Sequence, residues 1–217
     1  MPYKVEHIDP ARTAMIVVDM QNDFVADGSH LQSKQALAMV DRLVEMLDFC
    51  RTKGVKVIYT AHVHRSDGSD MGLYDDLFPP IANRNALIAG STGAQIISRL
   101  EPHDGEHVIE KHRYSGFYAT DLDLILREWK IDTVAIAGAT TENCCHATAR
   151  DALFRSYKVA FLSDLTGTFD YPDLGQGGFS ADDVHRLTLS VLAFSTADVM
   201  TSTAFRTLVS SGATVDR

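Results

Sequence analysis

Residues 133–145 carry the strongest structural signal in the chain, and they read Thr133-Val134-Ala135-Ile136-Ala137-Gly138-Ala139-Thr140-Thr141-Glu142-Asn143-Cys144-Cys145. An apolar run, then a glycine, then a polar segment predict a strand over 133–138, a tight turn, and a helix from about 141 to 156. This order places Cys144 in the first turn of a helix. Free backbone N–H groups and the positive helix end favour a thiolate at such a position. We therefore interpret Cys144 as a nucleophile.

Similar apolar runs alternate with helical patterns along the rest of the chain. Strands are predicted at 13–18, 55–60, 107–111 and 158–163, and helices at 37–53, 92–100, 120–129 and 180–192. Continuously apolar strands that alternate with helices are typical of a parallel sheet covered on both faces. The sequence thus predicts an α/β fold: a three-layer α/β/α architecture with a mostly parallel central sheet of five to six strands. We expect one domain over residues 1–217, because no linker or repeat divides the chain.

Composition excludes several classes of partner. The formal net charge of −9 argues against nucleic acid and against anionic membranes. No stretch approaches the length of a membrane span, and the segment Met1–His7 contains no apolar signal region. Three cysteines without a pairing pattern suit a reducing compartment, so we expect a cytoplasmic protein.

Three chemically useful groups lie at predicted carboxyl ends of strands. Asp19 follows the first strand, Lys111 ends the strand at 107–111, and the Gly138–Cys144 turn follows the strand at 133–138. Binding sites of open α/β sheets form at this edge. We therefore expect these groups, which are distant in sequence, to meet at one site.

At these positions the chain resembles a known family, the isochorismatase-like cysteine hydrolases. The resemblance rests on Asp19-Met20-Gln21-Asn22-Asp23-Phe24, on Lys111 and on the segment Gly138–Cys144. The family includes nicotinamidase, N-carbamoylsarcosine amidohydrolase, biuret hydrolase and ureidoacrylate amidohydrolase. The resemblance implies that Asp19 is the general base, Lys111 the catalytic lysine and Cys144 the nucleophile. It also implies a cis peptide bond between Ala139 and Thr140, an oxyanion hole formed by the N–H groups of Thr140 and Cys144, no cofactor, and a homo-oligomer, either a dimer or a tetramer.

The chemistry of these residue types agrees with the implied roles. A free thiol has a pKa near 8.5, and a helix N-terminus and a nearby lysine are expected to lower the pKa of Cys144. Asp19 can take the thiol proton as sulfur attacks an amide carbonyl, and can then protonate the departing amine. Water finally hydrolyses the thioester.

The segment from Lys111 to Phe117 most resembles the ureidoacrylate branch of the family. It implies a small linear amide, ureido or carbamoyl substrate. We expect substrate contacts from Phe24, Tyr114, Ser115, Phe117 and His64. Arg113 is open to two interpretations, a contact with a substrate carboxylate or a solvated side chain.

Several alternatives stay open on the sequence. The Asp-x-His metal signature of nicotinamidase appears here as His62-Val63-His64, so we expect no essential metal, although these histidines could bind a metal, contact substrate or only form hydrogen bonds. A vinyl-ether hydrolase of the isochorismatase type and a metal-assisted nicotinamidase are alternative enzymes. A thiol sensor that uses Cys144 and Cys145 is the alternative outside enzymes. The excursion at 66–91 and the Gly- and Pro-containing segment at 166–178 are candidates for pocket walls or a lid.

Overall fold

The computed structural model describes residues 4–211, and six parallel strands form its central sheet in the order β3-β2-β1-β4-β5-β6. The strands are β1 Thr13–Val18, β2 Lys56–His62, β3 His107–Lys111, β4 Thr133–Ala139, β5 Lys158–Gly167 and β6 Asp198–Met200. The predicted parallel sheet is confirmed. Because every residue of the central strands β1 and β4 is buried, both faces of the sheet must be covered there.

Helices cover both faces of the sheet. They are α1 Asn22–Val25, α2 Lys34–Ala38, α3 Val40–Lys53, α4 Tyr74–Leu77, α5 Pro79–Ala82, α6 Leu122–Glu128, α7 His146–Phe154, α8 Ala181–Ser195 and α9 Ser202–Ser210. Along β1, Met15 and Val17 pack into one core with α2, α3 and α9, whereas Ile16 and Val18 pack into a second core with α6, α7 and α8. This alternation follows from the two-residue period of a strand, and it confirms the three-layer architecture.

One predicted helix and the ends of two predicted strands differ from the structure. The predicted helix at 92–100 is wrong, because only a short 3₁₀ turn forms there, at Ser98–Leu100. Strand β2 continues past the predicted end to His62, and β5 continues to Gly167. The predicted domain of residues 1–217 includes residues 1–3 and 212–217, which lie outside the described residues.

The sequence predicts that no segment spans a membrane, and the helices of the structure can be compared with this prediction. None of the helices within residues 4–211 is both long enough and apolar enough to cross a bilayer.

The strand order reverses direction at β1. Strands β2 and β3 lie on one side of β1, and β4, β5 and β6 lie on the other. A crevice at the carboxyl ends of the strands is expected where the order reverses, between β1 and β4. Gly138 pairs with Val18 at this edge, with a φ of +127°. A Cβ atom on Gly138 would lie 2.0 Å from the carbonyl oxygen of Val18, so only glycine allows this close approach.

Replacement of this glycine tests the close approach. We expect Gly138→Ala to lower the free energy of unfolding by about 3 kcal/mol, because the methyl group must displace the β1 backbone. Gly175→Ala is the matched control: Gly175 also has a positive φ, +101°, but a Cβ atom there meets nothing within 4 Å. Urea unfolding of both variants measures the difference, and equal losses would contradict the role assigned to the β1–β4 contact.

Candidate active site

Strand register brings the predicted catalytic side chains to one place. Val18 pairs with Thr60 across β1 and β2, and His62 pairs with Lys111 across β2 and β3. Asp19 directly follows β1, and its backbone N–H donates to the carbonyl of Thr60. Alternation along β2 and β3 puts Thr60, His62 and Lys111 on the same side of their strands as Ile58 and Ile109, which belong to the second core.

A buried ion pair joins Asp19 and Lys111. The Lys111 Nζ atom lies 2.7 Å from Asp19 Oδ2, and both side chains are completely buried. Nζ also donates to Cys144 Sγ at 3.3 Å and to the carbonyl oxygen of Arg113 at 3.1 Å. Nζ therefore faces three acceptors: Cys144 Sγ and the Arg113 carbonyl through hydrogen bonds, and Asp19 Oδ2 through the ion pair. Lys111 thus links the carboxylate to the thiol.

The other oxygen of Asp19 is held by Thr60. The Thr60 hydroxyl donates to Asp19 Oδ1 at 2.6 Å. Thr60 was not predicted as a site residue. It is the last residue of the predicted second strand, just as Asp19 directly follows the predicted first strand, so its position at the strand end was a signal that could have indicated it. Both carboxylate oxygens are therefore oriented before a substrate binds.

Cys144 lies in the turn between β4 and α7. The turn spans Thr141–Cys145 and directly precedes α7, and the peptide bond between Ala139 and Thr140 is cis. Thr140 and Cys144 both line the pocket beside the sulfur atom. The oxyanion hole expected of their N–H groups stays a prediction.

The ionisation of Cys144 differs from the sequence-based expectation. Burial raises the pKa of the thiol above its ordinary value, although the Lys111 charge acts in the opposite direction. The physical reason is that Asp19 and Lys111 neutralise each other, so little net positive charge remains to stabilise a thiolate. Burial alone would lower the pKa of Lys111, but the charge and hydrogen bonding of Asp19 act in the opposite direction, and together with the contact to Cys144 they raise that pKa. We therefore describe the free site as a neutral thiol beside an ion pair.

A narrow, mostly apolar pocket opens onto Cys144. Its volume is about 30 Å³, and it is lined by Phe24, Leu31, His62, Tyr74, Phe78, Ile81, Leu87, Tyr114, Thr140, Asn143, Cys144 and Phe169. The walls from Tyr74 to Leu87 belong to the excursion at 66–91, and Phe169 follows β5. Neither segment could be placed from the sequence, because its position depends on contacts with α1 and the β4–α7 turn.

The predicted substrate-contact residues divide into two groups. Phe24 and Tyr114 line the pocket. Ser115 lies outside it and donates to the Asp151 carboxylate, and Phe117 packs in the second core against Tyr157. Both side chains face α7 and the second core instead of the pocket, because the chain turns at Ser115 after β3 ends.

His64 also lies outside the pocket. Its completely buried ring sits behind that of His62, with ring centroids 4.8 Å apart. The two side chains lie on one side of an extended segment, as predicted, but only the first of them reaches Cys144.

His62 is therefore the histidine of the site. It is 2% exposed, and one of its ring nitrogens lies within 4.8 Å of both an Asp19 carboxylate oxygen and Cys144 Sγ. Its Nε2 atom is buried and has no hydrogen-bond partner among residues 4–211. Burial, followed by the charge of Lys111, lowers the pKa of His62 well below its ordinary value.

A second cluster of possible metal donors lies behind the pocket. Ligand atoms of His64, Asp70 and His112 lie within 4.8 Å of one another. These donor types suit a divalent cation; His64 Nδ1 lies 3.4 Å from Asp70 Oδ1, and neither His64 ring nitrogen forms a hydrogen bond within the described part of the chain. However, His112 Nδ1 already contacts the carbonyl of Val63 at 2.6 Å, and none of the three residues lines the pocket. The cluster does not fit a metal that contacts the substrate.

One polar side chain of the pocket has a fixed orientation. Asn143 Nδ2 donates to Glu142 Oε1 and to the Tyr171 hydroxyl, each at 3.0 Å, and that hydroxyl donates to Glu142. A carboxylate can only accept, so the amide nitrogen of Asn143 must face it. Asn143 Oδ1 accepts no hydrogen bond from the residues that the structure describes, and it remains as an acceptor at the pocket.

The family follows from comparison with known proteins. The family model described as the isochorismatase domain matches residues 13–204. This chain belongs to the isochorismatase family. A cysteine hydrolase from Pseudomonas syringae pv. phaseolicola 1448A, known from its crystal structure, matches with a TM-score of 0.92 and 37% sequence identity, over 97% of this chain and 98% of that chain. The predicted family, fold and hydrolase class are thereby confirmed.

Two relatives of known name are amidases. Nicotinamidase 3 of Arabidopsis thaliana is 29% identical over 196 residues, which cover 88% of this chain and 87% of that protein. The N-carbamoylsarcosine amidase of Arthrobacter sp is 35% identical over 161 residues, which cover 72% of this chain and 60% of the relative. Within the isochorismatase family, this chain is thus similar to proteins named for the cleavage of carbon–nitrogen bonds.

Replacement of Lys111 tests the ion pair. We expect Lys111→Met to lower the free energy of unfolding by about 3–5 kcal/mol at neutral pH, because it leaves the Asp19 charge buried without its partner. Lys158→Met is the matched control, since Lys158 also belongs to a strand but its side chain is exposed. Denaturant unfolding of both variants measures the two losses.

The pH dependence of the same variants gives a second measure. Because the pKa of Lys111 is raised in the folded state, its stabilisation is complete below the ordinary lysine value of 10.5 and is lost as the pH rises through the raised value. The difference in the free energy of unfolding between wild type and Lys111→Met should therefore become smaller only under strongly alkaline conditions. A gap that closes near neutral pH would contradict the ion pair.

Proposed function

We propose that this isochorismatase-family enzyme hydrolyses the amide bond of a small, uncharged amide through a thioester on Cys144. The observation that carries the proposal is the position of Lys111, whose Nζ atom contacts both the Asp19 carboxylate and Cys144 Sγ. A carboxylate held beside a neutral thiol is suited to take its proton at the moment of attack.

The reaction proceeds in two halves. As Sγ bonds to the amide carbon, Asp19 accepts the thiol proton, and the N–H groups of Thr140 and Cys144 stabilise the developing oxyanion. Asp19 then passes the proton to the amine nitrogen, the carbon–nitrogen bond breaks and ammonia leaves. In the second half, Asp19 accepts a proton from water as the water attacks the thioester, and the proton returns to sulfur when the thioester breaks.

Charge favours an uncharged substrate. The charge of Lys111 is already paired with the Asp19 carboxylate, and its Nζ atom also donates to Cys144 Sγ and to the Arg113 carbonyl. The Arg113 guanidinium donates to the backbone carbonyl of Asp70, and it lies over the Tyr74 ring at 5.6 Å. No cationic side chain among residues 4–211 lines the pocket. A substrate carboxylate would lose its hydration there without gaining a partner.

The remaining polar groups suit an amide with an apolar acyl portion. Phe24, Tyr114 and the aromatic residues of α4 and the β5–α8 connection form the apolar walls. Asn143 Oδ1 can accept a hydrogen bond from a substrate N–H group. Of the linear amide, ureido and carbamoyl compounds expected from the sequence, this pocket favours the uncharged ones.

Replacement of each adjacent cysteine tests the nucleophile. We expect Cys144→Ala to lower kcat at least about a thousandfold, because the covalent step is lost. Cys145→Ala is the matched control: Cys145 is also completely buried but packs in the second core, outside the pocket. Ammonia release measures turnover, and mass spectrometry of acid-quenched wild type should show the acyl group on the peptide that contains Cys144.

Other outcomes would favour the alternatives. Undiminished turnover in Cys144→Ala would contradict the thioester mechanism, and release of pyruvate from a vinyl ether would indicate the isochorismatase reaction. Reversible oxidation of Cys144 and Cys145 that alters the binding of a partner, without hydrolysis of any amide, would indicate the thiol sensor.

A substrate panel tests the charge preference. We expect uncharged linear amides such as butyramide and isobutyramide to have a kcat/KM at least about tenfold above those of N-carbamoyl amino acids and ureido acids, because one unpaired buried carboxylate costs more than 1.4 kcal/mol. Each acid is best compared with its own primary amide, which differs only in the carboxyl group. A preference for the acid in these pairs would contradict the assigned pocket.

Nicotinamide belongs in the same panel. If it is the preferred substrate, if chelation abolishes its hydrolysis, and if zinc restores it, the metal-assisted nicotinamidase reaction would replace the present proposal.

A further inference from the structure

His62 lies beside the reacting groups but has no role in the two halves of the proposed reaction. Its ring lies at the pocket wall, and one ring nitrogen is within 4.8 Å of both Asp19 and Cys144, the two groups that react. Its backbone is fixed on both sides by Gln21, which accepts from the His62 N–H at 2.9 Å and donates to the His62 carbonyl at 3.0 Å. The ring is thus held at the site by the end of β2 and by the turn after β1.

The hydrolytic water needs a second partner besides Asp19. An ordered buried water makes about three hydrogen bonds, and Asp19 can accept only one of its protons. Lys111 is already paired with Asp19 and donates to Cys144 Sγ and the Arg113 carbonyl, and the Thr60 hydroxyl already donates to Asp19. The free pocket has a volume of about 30 Å³, which is enough for one or two water molecules before a substrate binds. Among the described residues that touch both the pocket and the reacting groups, His62 offers a buried ring nitrogen without a partner.

We propose that His62 positions the hydrolytic water for the breakdown of the thioester on Cys144, an inference that rests on the proposed function. The ring nitrogen accepts from one water proton or donates to the water oxygen, and the other water proton faces Asp19. The water oxygen forms the new bond to the acyl carbon, Asp19 takes that proton, and the carbon–sulfur bond breaks. Asp19 then returns the proton to sulfur, and the carboxylic acid product leaves.

The role of a positioning residue predicts a selective defect. In His62→Phe, an aromatic ring is kept and both ring nitrogens are lost, so formation of the thioester should continue while its hydrolysis slows about tenfold, the value of one lost hydrogen bond. Ammonia should therefore appear as a burst of one equivalent per enzyme, followed by a slow steady state. His62→Gln, which keeps a polar atom near the position of Nε2, should recover part of the steady-state rate.

Hydroxylamine separates this role from a merely structural one. As a stronger nucleophile than water, hydroxylamine should capture the accumulated acyl group as a hydroxamate and restore the turnover of His62→Phe towards that of wild type. His64→Phe is the matched control, because His64 is equally buried but lies outside the pocket, and it should show no burst. Thermal melting checks that each variant is folded.

Defined outcomes would overturn the inference. The burst rate and the steady-state rate of ammonia release could fall equally in both His62→Phe and His62→Gln, without rescue by hydroxylamine. That result would show that His62 has no specific part in thioester hydrolysis. Unchanged kinetics in His62→Phe would show the same. Failure of the proposed function looks different, because wild type itself would then form no acyl group on Cys144.

Discussion

The ion pair between Asp19 and Lys111 is the constraint on which the rest of the site depends. Burial of two charges is costly unless each charge has a partner and every hydrogen-bonding group is satisfied. Here Thr60, the Arg113 carbonyl and Cys144 complete the partners. The same contacts that make the pair tolerable in the protein interior also hold a base beside a thiol, so structural and chemical requirements coincide.

This arrangement changes how the thiol is activated. A lysine with free positive charge would favour a permanent thiolate, but here the carboxylate neutralises it and burial keeps the thiol protonated. In the proposed mechanism, proton transfer to Asp19 therefore belongs to the attack itself and not to the resting enzyme. A neutral resting thiol also avoids leaving an isolated charge in an apolar pocket.

Parallel topology makes the site possible. The order of the strands reverses at β1, so the ends of β1 and β4 diverge and leave a crevice between them. Gly138 keeps β1 and β4 close just before they diverge, while the excursion at 66–91 and the segment after β5 cover the crevice from outside. Rigid strands thus hold the reacting groups, and irregular segments shape the space for the substrate.

The sequence by itself determined the parallel α/β fold, because apolar strands and helical periodicity are local patterns. It also indicated Asp19, Lys111 and Cys144, since each follows or ends a strand and all three belong to motifs of the family. It did not determine the pocket: Ser115 and Phe117 are close in sequence to Lys111 but lie under α7, whereas Tyr74 and Phe169 are distant from it and line the pocket. Tertiary structure alone decided these positions. It also decided that the pKa of Cys144 is raised and not lowered, and that His62 lines the pocket whereas His64 does not. The physical reason is that burial and the pairing of charges depend on contacts between segments far apart in the chain.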